Sequence, residues 1–294
     1  MADLAQILVS GLLLGGIYAL VSVGLTLVFG VIRLVNFAHG EYLMLAMYLT
    51  YFLFQYLGLD PLLAIFVVAP AMFLFGVITE RLIIVPTLAS PHVVQVFATL
   101  GVSIVMQNLA LFFFSANFRS VTTPYSTATF AVGPVLVSVP RLVAFVVGFA
   151  SALALYVFLR TTWLGKAIQA TAQHRNAAML MGVDVARVYR VTFALGSAGV
   201  GIAGALLLPI FPVYPQIGVD MILVAFVIVV LGGLGSVPGA MLGGLIIGVV
   251  ETASGYVIET TWKQAVYFVL FIAILVLRPA GLFGVRGTEE MGTK

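Results

Sequence analysis

Residues Thr162–Asp184 read TWLGKAIQATAQHRNAAMLMGVD, a polar and basic island in a chain whose remainder is almost wholly apolar. The chain is 63% hydrophobic and 8% charged, with a mean hydropathy of +1.22, where soluble domains carry about 25% charged residues. Outside the island, apolar runs of about 20 residues have the length a helix needs to cross a hydrocarbon core about 30 Å thick. The short alternating segments of a transmembrane barrel are not the pattern here. These features predict an all-α polytopic membrane protein.

The runs fall at Ile7–Phe29, Tyr42–Leu57, Leu62–Thr79, Val93–Phe114, Leu142–Leu159, Val191–Ile210, Met221–Leu231, Ala240–Val257 and Ala265–Leu277, giving about eight or nine crossings. Around the island, Arg160, Lys166, Arg175, Arg187 and Arg190 supply five of the 13 basic residues. The positive-inside rule therefore places 160–190 in the cytoplasm, and Arg278, Arg286 and Lys294 put the C-terminal end there too. Counting back, the turn at Arg81–Pro91 is cytoplasmic, the Ser/Thr/Pro-rich segment Ala116–Pro140 is external, and nine crossings leave the N-terminus outside. The opening MADLAQ has no Lys or Arg, and its apolar run exceeds a signal h-region, so the first run reads as a retained helix. With no long linker or charge block, residues 1–294 read as a single transmembrane domain containing the 160–190 loop.

Several chemistries are disfavoured. The chain has no cysteine for a disulfide or thiolate site. Its net charge of +3 is confined to a few loops and reports topology rather than affinity for nucleic acid. The Gly165-Lys166 pair is followed by Ala167 and lacks the glycine spacing of a phosphate cradle. His39, His92 and His174 show no metal-ligand spacing, and neither HExxH nor GxSxG occurs. No catalytic residue, resident cofactor or metal is expected.

Two interruptions stand out among the apolar runs. In Asn36-Phe37-Ala38-His39-Gly40-Glu41, Asn36 can cap a helix that begins at or near the membrane interior. Broken helices are tolerated in a bilayer where the backbone lines protein or water, and their positive ends attract anionic groups such as a substrate carboxylate. In Gly232-Gly233-Leu234-Gly235-Ser236-Val237-Pro238-Gly239, Ser236 can cap a helix whose early Pro238 needs no donated bond. Paired interruptions in two halves of a chain point to a translocation pathway, which would be shaped by Asn36, His39, Gly40, Glu41, Gly232, Gly233, Gly235 and Ser236. The competing reading makes both ordinary turns, with Glu41 solvated and His39 hydrogen-bonded.

Gly11/Gly15, Gly239/Gly243 and Gly244/Gly248 are small-xxx-small pairs that predict close helix packing. Glu251 reads either as a buried partner or as an external-interface residue beside Glu259 and Lys263. Trp262 and Tyr267 read as an aromatic belt. Within the island, Asn176 can cap a short helix through Ala177, Ala178, Met179, Leu180 and Met181, which Gly182 stops, and Asp184 can cap the next helix. Small Ala177 and Ala178 beside adaptable methionines suit a partner's groove; a helix resting on lipid is the alternative.

Three stretches resemble the LivH-type permeases of branched-chain amino acid ABC transporters: VNFAHGEYLMLAMY (Val35–Tyr48), TTWLGKAIQATAQHRNAAMLMGVDVARVYRVTFALGS (Thr161–Ser197) and VLGGLGSVPGAMLGGLIIGVVE (Val230–Glu251). They occur in family order, and the resemblance covers nearly the whole chain. It implies that Gly165, Arg175, Asn176, Ala177, Ala178, Met181 and Gly182 belong to a loop coupling the permease to separate ATPase subunits, which carry ATP and Mg. Implied partners are a second related permease, two ATP-binding cassette ATPases and a periplasmic substrate-binding protein; the implied location is a bacterial inner membrane. Two positions depart from the family pattern. Gln169 precedes Ala170 where a basic residue is common, and Asn176 stands where an acidic residue commonly precedes the paired alanines, preserving capping capacity but not charge. The expectation is inward transport of branched-chain or other hydrophobic amino acids. Urea, short amides and aromatic acids are alternative cargoes, and an ion-coupled carrier or channel using Glu41, His39 or Glu251 is the alternative mechanism.

Overall fold

The computed structural model describes residues 2–257, 263–278 and 281–284; Trp262, Glu259, Arg286 and Lys294 lie outside them. The helices are α1 (Ala2–Ile32), α2 (His39–Leu57), α3 (Pro61–Thr79), α4 (His92–Phe114), α5 (Val139–Thr161), α6 (Trp163–Gln173), α7 (Arg175–Leu180), α8 (Val185–Leu207), α9 (Ile217–Gly232), α10 (Val237–Val257) and α11 (Lys263–Leu277). Every apolar run is a helix. Among the described residues, α1, α3 with its extension to Thr87, α4, α5, α8 and α10 are long and apolar enough to cross a membrane, while α9 and α11 are shorter apolar helices. The chain is a multi-pass, all-α membrane protein.

Local chemistry sets the boundaries. Gly58 ends α2 with φ +65° and returns its N–H to Phe54 O, and Asp60 then caps α3 by accepting from Leu62 N ahead of Pro61. Beyond Thr79, α3 widens into a π-turn, Glu80–Ile84, before Val85–Thr87. Pro86 follows directly, and its ring is incompatible with a regular bond to the carbonyl four residues back.

At the centre stands α1, buried along most of its length and packed on α5, α8, α9 and α10. Glycine makes its closest contact possible. A β-carbon at Gly11 would lie 2.6 Å from Val249 Cα, one at Gly15 2.6 Å from Gly244 O, and one at Gly244 2.6 Å from Ala19 Cα. The predicted pairs Gly11/Gly15 and Gly244/Gly248 thus join α1 to α10, where backbones can approach closely, while Gly239/Gly243 packs on α9 at Gly232 and Ile228. A second tight pair is α3 with α8, through Gly76 against Ser197 and Gly201 against Met72. By contrast α4 is peripheral, buried at Gln95, Thr99 and Ala110 but exposed at Val93, Phe97, Ile104 and Phe112.

One end of the bundle carries the 160–190 loop and is called the basic end; the other carries a β-hairpin absent from the sequence expectation. Strands β1 (Thr129–Val132) and β2 (Val135–Ser138) pair antiparallel with Val132 opposite Val135, across Gly133 at φ +61°. Gln6 of α1 holds the hairpin by donating to Leu136 O and accepting from Leu136 N, 2.9 and 2.8 Å. The preceding segment is tied down by Tyr125, whose hydroxyl donates to Asp60 Oδ1 at 2.9 Å. Burial and the Asp60 carboxylate push the Tyr125 phenol well above its ordinary range, so it remains a donor.

One further expectation is corrected, at Tyr267, and of the two alternatives for Glu251 the buried partner is the one found. Tyr267 is buried among Leu14, Tyr18, Val224 and Ile247 rather than placed as a belt residue. Glu251 is turned inward to interact with Tyr18 and Tyr267.

Candidate translocation route and coupling surface

The first interruption lies inside the bundle. His39 Nε2 is 3.1 Å from Val21 O of α1, and its ring also lies against Gly24. Gly24 is eight residues short of Ile32, so α2 starts about 12 Å along α1 from its basic end. Asn36 does not cap α2. Its Oδ1 accepts from Ala38 N at 3.1 Å, forming a turn just ahead of the helix, and the N-cap position itself is Ala38. This turn leaves Asn36 Nδ2 buried on the side of the Tyr42 hydroxyl. Glu41 is buried too: Oε1 accepts from Ser103 Oγ at 3.2 Å, and Oε2 has no hydrogen-bond partner among the described residues.

What meets this break is the start of α9. Gly40 packs on the Gly218 carbonyl, and a β-carbon at Gly218 would lie 2.5 Å from Glu41 Oε2. Phe37 packs at a tilt against Phe226 further along α9, ring centroids 5.0 Å apart. The 16 residues of α9 rise about 24 Å, short of the ~30 Å hydrocarbon core. A third interruption, 208–216, therefore precedes α9. Its signal in the sequence is Pro209, Pro212 and Pro215, three residues that cannot donate in a helix.

The second predicted interruption sits at the other end of α9. Ser236 Oγ accepts from Gly239 N at 3.1 Å and caps α10 as expected. Gly232 packs on Gly239, while Gly233 (φ +101°) and Gly235 (φ +84°) take backbone conformations closed to most side chains. A β-carbon at Gly235 would lie 3.1 Å from Gly30 Cα, and Gly233 lies against Gly284. Leu282 N and Phe283 N donate to Leu231 O and Gly232 O, 2.8 and 3.1 Å, sealing this break with a segment that sequence reasoning missed. The predicted breaks are thus not adjacent; α9 runs from one to the other.

At the basic end, Thr162 caps α6 by accepting from Gly165 N at 3.0 Å. A side chain at Gly165 would collide with the Phe158 carbonyl and Leu159, so glycine permits the sharp turn from α5. Asn176 lies within α7, behind an N-cap at His174, and so caps nothing. Gly182 (φ +81°) stops α7 through Gly182 N to Met179 O and Val183 N to Ala178 O, both 3.0 Å, and Asp184 caps α8 through Arg187 N at 3.0 Å. Ala178 faces into the protein at 5% exposure, which corrects its place on an outward face. The outward face is Asn176, Ala177, Met179, Leu180 (88% exposed) and Met181 (85%). Arg175 lies over the Tyr189 ring at 5.7 Å, bracing α7 on α8.

Residues 7–275 match the family described as branched-chain amino acid transport system / permease component. The chain belongs to this permease family. The permease is 33% identical to the high-affinity branched-chain amino acid transport system permease protein LivH of Salmonella typhimurium, over 97% of each chain. It is 32% identical to BraD of Pseudomonas aeruginosa, again over 97% of each. A probable LivH of Methanocaldococcus jannaschii is 26% identical over 95% of this chain and 92% of its own. No solved structure matches the permease. Its candidate route and coupling helix are linked by packing, since α7 leads through Asp184 into α8, which packs on α1, α2 and α3.

Proposed function

We propose that this chain is the membrane-embedded subunit of a bacterial ABC importer that carries branched-chain or other hydrophobic amino acids inward across the inner membrane. Full-length membership of the permease family carries this reading. The partners are a second related permease, two ATP-binding cassette ATPases that hold ATP and Mg, and a periplasmic substrate-binding protein. The basic end is then cytoplasmic and the hairpin end external.

In this reading the outward apolar face of α7 seats in the ATPase, with flexible methionines adapting to the groove. Closure of the ATPase pair displaces α7 and α8, and the interruptions at 33–38, 208–216 and 232–236 absorb the motion as hinges. The helix N-termini beside Asn36 and Gly40, and the glycine break at Gly232–Ser236, border the route. Selectivity comes from the soluble receptor, so the route itself does not need tight binding.

The test is reconstitution of the permease with its ATPases in vesicles, measuring uptake of labelled leucine, urea and phenylalanine in parallel. Uptake of leucine that needs ATP and the receptor is expected. Uptake driven by an ion gradient without ATPases, or transport of urea alone, would overturn the assignment.

A further inference from the structure

The segment between α4 and the hairpin is tied by its backbone to the 208–216 interruption. Arg119 N donates to Val213 O at 3.0 Å and Val213 N donates back to Arg119 O at 2.8 Å, while the Phe118 ring packs on Tyr214 at 4.7 Å. The Arg119 side chain fixes where this strap lies: Nη2 donates to Phe114 O at 2.7 Å, and the guanidinium sits 5.5 and 5.6 Å from the Tyr51 and Phe52 rings of α2. From Val213 the connection is short. The Tyr214 hydroxyl donates to Asp220 Oδ2 at 2.7 Å in the first turn of α9, two residues from Gly218 and its contact with Gly40 and Glu41. The strap is largely exposed at the hairpin end, Phe118 included.

We propose that Arg119 and Tyr214 are positioning residues through which a protein docked on the hairpin end controls the Gly40–Gly218 junction. The inference rests on the reading above, in which the substrate-binding protein docks at that end and the junction borders the route. The physical basis is continuity. The strap reaches α9 through a backbone pair, a ring contact and one hydrogen bond, so moving it shifts the start of α9 relative to α2. Arg119 grips the outer part of α2 at the same time, making the strap a link between the two helices whose first turns meet.

The experiment uses the complete complex with its ATPases and receptor in vesicles. Ser103→Cys places a single thiol beside Glu41 in a chain without native cysteine. Its reaction with a water-soluble thiol reagent is expected to accelerate when ATP and loaded receptor are added. Tyr214→Phe, which removes only the hydroxyl, and Arg119→Gln should hold the thiol at its resting rate and cut receptor-stimulated ATP hydrolysis by about ten-fold, with receptor-free hydrolysis unchanged. Arg119→Lys, which keeps a cation over the rings, should restore stimulation. If Tyr214→Phe and Arg119→Gln accelerate and stimulate like the parent, the strap proposal fails while the route reading stands. If the thiol stays unreactive in the parent in every nucleotide state, the route reading fails and takes the strap with it.

Discussion

Gly40 of α2 and Gly218 of α9 touch backbone to backbone, so the first turns of two helices meet inside the bundle. Glu41 follows directly, its Oε2 against Gly218. Positive helix N-termini favour a nearby carboxylate, and here the carboxylate belongs to the protein.

The two glycines differ in what a methyl group would strike. At Gly40 it meets the Gly218 carbonyl, which cannot move alone; at Gly218 it meets the far end of the Glu41 side chain most closely and the Gly40 carbonyl carbon at 2.9 Å. Gly40→Ala should therefore lose more folded permease than Gly218→Ala, with overpacking costing about 1–3 kcal/mol. Adding Glu41→Ala should rescue part of the yield of Gly218→Ala, the Gly40 backbone contact remaining, and none of that of Gly40→Ala, as read by size-exclusion of detergent extracts.

The two faces of α7 predict opposite defects. Leu180→Ser with Met181→Ser should leave the amount of permease unchanged but reduce the ATPase that co-purifies with it. Ala178→Arg should lower the permease itself, because a cation would be forced beneath the helix. Equal ATPase recovery for the serine variant would return α7 to the lipid-resting alternative.

Glu80 and Arg190 join the π-turn of α3 to the base of α8, Nε to Oε2 3.8 Å, with side-chain exposures of 1% and 43% respectively. The exposed guanidinium is screened by solvent, so Arg190→Leu should cost only about 1 kcal/mol. A lower thermal midpoint is expected, with recovery on adding Glu80→Gln because the stranded carboxylate is then removed.

Gly15→Val should block docking of α1 on α10 and deplete the folded chain, since the Gly244 carbonyl and Leu245 Cα lie within 2.7 Å of the added carbon. Gly101→Val on α4 meets nothing within 4 Å of its β-carbon among the described residues and should leave the isolated permease unchanged. Comparable losses at both sites would argue against close packing as the role of the glycines.

The long apolar runs were legible because a bilayer imposes length and composition on each crossing. The glycine pairs were legible for a related reason: close approach excludes other residues. Local caps at Ser236 and Asp184 could be read from short-range chemistry, and so could the stop at Gly182. Asn36 and Asn176 fell short because a side chain able to cap does so only where the backbone presents free N–H groups, and tertiary packing sets that start. Helix α6 was hidden by its polar composition, since it lies outside the apolar periodicity. The pairing of 33–38 with 208–216 joins segments far apart in sequence, and no local pattern reports which break faces which. The inward turn of Ala178 followed from the rotation of a six-residue helix, too short for a pattern to fix.

The glycine seam between α1 and α10 also constrains biogenesis. The partner that covers Gly11 and Gly15 is synthesised near the opposite end of the chain, at Gly244–Val249. Until then α1 presents a bare backbone stripe with no matching surface. A contact of such long sequence separation forms late, so the central helix of the finished permease must be held by the insertion machinery or by provisional neighbours while the rest is made. Chains truncated before α10 should accumulate as substrates for membrane proteases even though every helix they contain can enter the bilayer.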